Sequence, residues 1–253
     1  MRKRLRLPDT MAYLFVRLRI MLSSHLTSTM ENKTDMLRYD SVLPILKEVL
    51  HRLSSKPELK DFRLVGGTNL SLRFGHRMSD DIDYFTPQEY GTVDFEAMFR
   101  MLREEFDYID GHGSNIGFGN SYYVGNTSND GDKVKLDLMY TDPFLNEPDE
   151  LDGVRFASVQ DIVAMKLNAV TDGDGRKKDF WDIHFLLTAF TLKEMLDLHE
   201  KRHPWEHDRT KLLKDIIDFR KADKDPDPRC LLGKDWQQIK LDLMDAVFAY
   251  SEE

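Results

Sequence analysis

Apolar residues along this chain change their period near residue 156, from mostly two-residue alternation with intervening helical stripes to helical spacing alone. Leu43, Leu46, Val49, Leu50 and Leu53 recur at three- and four-residue steps and predict an amphipathic helix between Asp35 and Leu53. Phe62-Arg63-Leu64-Val65 reads as a short buried strand, and Asp81-Ile82-Asp83-Tyr84-Phe85 as a second. Phe95, Met98, Phe99 and Leu102 form another helical stripe. Strands are then expected at Tyr108–Asp110, Ile116–Val124 and Val134–Tyr140, separated by turns at Gly111, Gly113, Gly125 and Asp130-Gly131. Beyond residue 156 the pattern predicts helices at 158–170, 178–190, 191–202, 207–221 and 235–249, with Lys221–Arg229 as a proline-containing loop. The expected fold class is therefore α+β: a small mixed sheet flanked by helices, followed by a C-terminal helical region. Three parts follow from this, a basic extension at 1–34, a core at 35–156 and a helical domain at 157–253 that closes a cleft.

Chemistry concentrates where the first two strands end and begin. Gly66 and Gly67 follow the first strand and permit a tight turn with close approach of a phosphate. Thr68 is placed to cap a helix over Asn69–Phe74, whose first N–H groups would face that anion. On the second strand the two-residue period puts Asp81 and Asp83 on one face and Ile82 and Tyr84 on the other. In Lys133–Tyr140 the same alternation brings Asp137 out on the polar face. Three carboxylates about 4 Å apart repel by roughly 4 kcal/mol per pair at an effective dielectric near 20, on the order of 12 kcal/mol together. Cations must offset that, and two Mg²⁺ ions held by Asp81, Asp83 and Asp137 are the expected cofactors.

A second cluster lies on the predicted helices. Val159, Ile162, Val163, Lys166 and Val170 share one face, and a lysine on a buried stripe calls for an anionic partner, either a phosphate or an acid such as Asp137 or Asp179. Asp179 and Asp182 open the next helical stripe, where acids also complement the helix dipole. Asp179 is open to two roles, general base or partner of Lys166, with Asp182 as an orienting group. Arg176 and Lys178 are placed to hold a triphosphate or an RNA backbone. His199, His203 and His207 have the spacing of helical metal ligands, but Pro204 interrupts the helix and the grouping is expected to be fortuitous.

Composition narrows the setting. The chain has 253 residues, enough for a substantial core, and no apolar run reaches the roughly 18 residues that span a bilayer. Cys230 is the only cysteine, which rules out an internal disulfide framework and a multi-cysteine zinc site and fits a reducing, cytoplasmic location. A net charge of −9 argues against a surface that coats nucleic acid broadly, though not against a local basic patch. Arg2, Lys3, Arg4, Arg6, Arg17 and Arg19 make the first 30 residues basic. They are expected to be either a leader upstream of a start at Met30 or a partner-binding helix, and in neither case catalytic.

Val65-Gly66-Gly67 with Asp81-Ile82-Asp83-Tyr84 resembles the signature of the polymerase-beta-type nucleotidyltransferase superfamily. More narrowly, Gly66–Leu72 through His76–Phe85, with Lys166-Leu167-Asn168-Ala169 and Arg176–Ile183, is similar to the AbiEii/AbiGii toxin family over about residues 60 to 190. The resemblance implies that Gly67, Thr68, Asp81 and Asp83 bind nucleotide and metal, and that Lys166, Arg176, Lys178, Asp179 and Asp182 complete the site. It implies transfer of a nucleoside monophosphate from an NTP to an acceptor hydroxyl on RNA, a tRNA end included, by a toxin that an antitoxin protein controls. Two alternatives stay open: a nucleotidyltransferase acting on a small metabolite or antibiotic, and a catalytically silent NTP-binding module.

Overall fold

Among the described residues seven strands form one mixed sheet in the order β3-β4-β5-β2-β1-β7-β6. In chain order they are β1 (Arg63–Leu64), β2 (Asp81–Thr86), β3 (Tyr108–Asp110), β4 (Gly119–Gly125), β5 (Lys133–Tyr140), β6 (Asp149–Leu151) and β7 (Val154–Phe156). The computed structural model describes residues 36–252; the basic extension expected at 1–34 lies outside the described residues. β2 runs parallel to β5 and β1 parallel to β7, while the other neighbours are antiparallel. The helices are α1 (Pro44–Ser54), α2 (Gly66–Phe74), α3 (Phe95–Glu105), α4 (Val159–Ala169), α5 (Lys177–Leu186), α6 (Leu192–Arg202), α7 (Arg209–Asp215) and α8 (Trp236–Ser251).

The sheet's two faces feed two cores. Leu64, Ile82, Tyr84, Leu136 and Leu138 pack beneath Leu46, Val49 and Leu53 of α1 and Phe95, Met98 and Leu102 of α3. Their alternation along β2 and β5 leaves the polar positions on the opposite face. Beyond that face, Val65 joins Leu70 of α2 to Ile162 and Leu167 of α4, Phe180 and Ile183 of α5, Leu196 of α6 and Leu243 of α8. α2 is buried on nearly every side and belongs to both cores, through Leu72 in the first and Leu70 in the second. Side-chain caps fix the starts of α3, α4 and α6: Asp94 accepts from Ala97 N–H, Ser158 from Asp161 N–H and Thr191 from Glu194 N–H.

Several boundaries differ from the pattern-based reading. β6 and β7 were not expected, because three-residue strands are too short to display a period. β4 starts at Gly119 rather than Ile116, and α7 stops at Asp215 rather than reaching residue 221. α2 begins at Gly66, three residues before the expected start, so Thr68 lies within the helix instead of capping it, and Val65 is the N-cap. The loop after Lys221 contains a 3₁₀ turn at Ala222–Lys224 and then returns toward the sheet. There Met78 N–H donates to Arg229 O at 2.8 Å and Leu231 N–H to His76 O at 3.0 Å.

Candidate active site

Register places the three acids together. Asp83 and Asp137 are direct partners across the parallel β2–β5 pair, and Asp81 sits opposite Lys135. Neighbouring strands are about 4.8 Å apart, so Asp83 and Asp137 project side by side with Asp81 one pleat away. The α2 start abuts this group. Gly66 has φ +71°, and a Cβ there would collide with Asp83 Oδ2. A Cβ on Gly67 would strike the Arg77 guanidinium. Only glycines allow the carboxylate on one side and the arginine on the other to approach the helix start this closely. Thr68 Oγ1 bonds Ser79 Oγ at 2.9 Å and donates to Asp81 O, which ties α2 to the entrance of β2. Asn69 Nδ2 donates to Leu64 O at 2.8 Å and Ala157 O at 2.9 Å, holding α2 against the ends of β1 and β7.

Lysines already balance two of the acids. Lys178 Nζ lies 2.8 Å from Asp81 Oδ2, and Lys135 Nζ lies 2.6 Å from Asp137 Oδ2. Among the described residues Asp83 has no such ion pair: burial, then the Asp137 charge, push its carboxyl up to about 6. Asp137 Oδ1 is buried without a hydrogen-bond partner among the described residues. An uncompensated carboxylate beside an orphaned carboxylate oxygen is hard-oxygen donor chemistry and fits a divalent cation such as Mg²⁺. The acids do not form a closed cage, however. Among the described residues no group of three or more His, Cys, Asp or Glu side chains stands in metal-holding geometry.

The second predicted cluster converges on a buried charge network. Asp182 is completely buried and accepts from His76 Nε2 at 2.7 Å, Arg77 Nε at 2.7 Å and Arg77 Nη2 at 2.8 Å, while Lys166 Nζ lies 2.7 Å away. Lys166 also donates to Asp179 Oδ1 at 2.8 Å, and Asp179 Oδ2 receives the backbone N–H and Nε of Arg176. Burial opposes ionisation of Asp182, but Arg77 and Lys166 overcome it and hold the carboxyl well below its usual range. Burial likewise opposes charge on Asp179, and Lys166 and Arg176 hold it ionised. Lys166 thus meets Asp179 and Asp182 rather than Asp137 or an open phosphate position. Sequence spacing identified Lys166, Asp179 and Asp182, but His76 and Arg77 as their partners are supplied by a contact across more than a hundred residues. Lys135 was also missed, although it stands two residues before Asp137 on the same strand face.

Two clefts of about 570 Å³ each lie at either end of the carboxylate row. Arg77, Ser79, Arg176, Lys178 and Arg229 line the first, beside the start of β2. Phe85, Tyr90, Phe118, Tyr140 and Asn168 line the second, beyond the end of β2. Elsewhere the three histidines do meet: their ring centroids lie 5.0 Å and 5.2 Å from that of His199, because the chain turns at Pro204 and brings His207 back. Burial, then the neighbouring histidines, push His199 down to about 3, so this ring is neutral.

Three similarities accompany this geometry. The family described as "Nucleotidyl transferase AbiEii toxin, Type IV TA system" matches residues 48–251. An uncharacterized protein of Aquifex aeolicus is 31% identical over 170 residues, covering 62% of this chain and 73% of that protein. Among solved structures, the nucleotidyltransferase toxin MenT4 of Mycobacterium tuberculosis superposes with a TM-score of 0.52 at 15% identity, over 90% of this chain and 89% of that one, a likeness of fold.

Proposed function

Since the chain belongs to the AbiEii family of nucleotidyltransferase toxins of type IV toxin–antitoxin systems, with an NTP substrate implied, we propose that it transfers a nucleoside monophosphate to a hydroxyl on RNA, a tRNA end being the first acceptor to test. The observation that carries this reading is the register pairing of Asp83 with Asp137 beside the Gly66 helix start, with Asp83 making no ion pair among the described residues.

In this reading Asp81, Asp83 and Asp137 hold divalent metal. Such ions, when bound, supply Lewis-acid stabilisation of the attacking and leaving oxygens. The chain's own groups do the rest. Arg176 and Lys178 line the cationic cleft and take the triphosphate, Lys178 exchanging its Asp81 partner for phosphate oxygens. The first N–H groups of α2, at Gly66, Gly67 and Thr68, lack partners within the helix and face the same anion. The acceptor oxygen forms a bond to the α-phosphorus as the bond to pyrophosphate breaks, and its proton passes to a carboxylate of the trio. Asp179 and Asp182 position rather than react, because both are ionised and already paired, Asp179 with Lys166 and Arg176 and Asp182 with Lys166 and Arg77. Control by an antitoxin protein belongs to the same proposal.

The test is incubation of the protein with Mg²⁺, each labelled NTP in turn and total RNA, beside an Asp81→Ala/Asp83→Ala variant. Label on a discrete RNA that disappears in the variant is the expected result. NTP binding with no label on any RNA overturns the choice of acceptor and favours a small hydroxylated molecule.

A further inference from the structure

Beyond the end of β2 the catalytic face runs into a cleft whose walls are aromatic rather than cationic. Phe85 lies two residues past Asp83 on the same strand face and forms its floor, so the cleft begins about 7 Å from the carboxylates. Its outer wall is a run of rings. Tyr90 lies 5.5 Å from both Phe118 and Tyr140, centroid to centroid. These rings face water: Tyr90 is 57% and Phe118 78% exposed. Water-exposed rings of this size are usually mobile, yet the two tyrosines are tethered at their hydroxyls and the backbone that carries Phe118 is held. Tyr90 Oη accepts from Gly117 N–H at 3.2 Å, and Tyr140 Oη accepts from Gly91 N–H at 3.1 Å and Val93 N–H at 2.8 Å. The backbone of Phe118 accepts from Tyr140 N–H at 2.8 Å. On the other side Asn168, fixed by the contact of its Oδ1 with His199 Nε2 at 3.3 Å, brings an amide that donates, and Asp142 brings a carboxylate that accepts.

Fixed aromatic faces opposite one donor and one acceptor are what a planar heteroaromatic ring with a hydrogen-bonding edge requires. We propose that this cleft receives the unstacked base of the acceptor's terminal nucleotide, a reading that rests on RNA being the acceptor. Direction selects the acceptor over the donor. In-line displacement puts the incoming oxygen opposite the leaving pyrophosphate. Arg176 and Lys178 draw the pyrophosphate toward the cleft at the start of β2, so the acceptor enters from the aromatic end. The acids Asp142 and Glu206 at this end disfavour phosphate, which leaves the base as the group that is held there.

Binding of a fluorescent single-stranded RNA to the full chain, read by anisotropy without turnover, tests this against Phe118→Ala, Tyr90→Ala and Phe118→Trp. Each alanine variant is expected to raise Kd for RNA about tenfold, the loss that removing one base–aromatic stack produces, with the slope of affinity against salt unchanged. Phe118→Trp is expected to restore binding, and NTP affinity to stay constant throughout. Unchanged RNA affinity in both alanine variants overturns the assignment, and so does weakened NTP affinity, which would place the donor's base there instead. If wild-type protein labels RNA and Phe118→Ala labels it with the same KM, this cleft assignment fails while the proposed activity stands. If wild-type protein binds NTP but neither binds nor labels RNA, the proposed acceptor fails and the assignment with it.

Discussion

Asp83 shows how a single side chain can weaken a fold at the place where the proposed reaction needs it. Its carboxyl, raised from 3.8 to about 6, binds a proton more tightly in the folded chain than in the unfolded one. The stability it lends is therefore fully present below pH 3.8 and is lost as pH rises through about 6. Asp83→Asn should stabilise the metal-free protein at pH 7.5 by roughly 1–2 kcal/mol, discounted for partial exposure, with little effect near pH 4. Thermal melts at the two pH values check this, and transfer activity should vanish in the same variant. Added Mg²⁺ should raise the wild-type melting temperature and leave the asparagine variant unmoved. Gly66→Ala tests the neighbouring backbone. A positive φ and a collision with Asp83 Oδ2 together should cost about 2 kcal/mol or more in urea titrations.

At the scale of elements, one buried acid joins three pieces of chain. Asp182 on α5 meets Lys166 on α4 and His76 and Arg77 in the segment between α2 and β2, with Asp179 adjoining through Lys166. Replacing it with asparagine leaves two cations buried opposite a neutral amide, and should destabilise the protein by about 3–5 kcal/mol in denaturant titrations. Because its folded pKa is depressed, its contribution is present above 3.8 and lost as pH falls below that, so the wild type should show a steeper acid transition than the variant. The half of this network contained in α4 and α5 was legible, since Lys166, Asp179 and Asp182 lie on helical faces that a three- and four-residue period reveals. The half supplied by His76 and Arg77 was not, because no local pattern connects positions that meet only through packing. The same division holds for the sheet: β2 and β5 alternate over six and eight residues and were readable, whereas β6 and β7 span three each and were not. The carboxylates could be assigned to a common strand face from sequence, but the pairing of Asp83 with Asp137 required the parallel register.

For the whole molecule, a net charge of −9 confines cationic chemistry to small areas. Arg77, Arg176, Lys178 and Arg229 are the arginines and lysines of the basic cleft, with Asp80, Asp225 and Asp227 among them. If all four met phosphates, affinity for single-stranded RNA should fall by no more than about 50-fold between 50 and 200 mM salt, a limit that binding titrations across salt can check. That cleft also has a temporal consequence. Residues 77 and 78 form its inner edge, and the backbone that pairs with them belongs to Arg229 and Cys230. A nascent chain still short of residue 230 lacks that wall, and one short of residue 182 lacks the acid that pins Arg77 behind Gly67. Closure of the cationic cleft is therefore a late event in synthesis: residues 77 and 78 leave the ribosome long before the backbone of Arg229 and Cys230 that they must find.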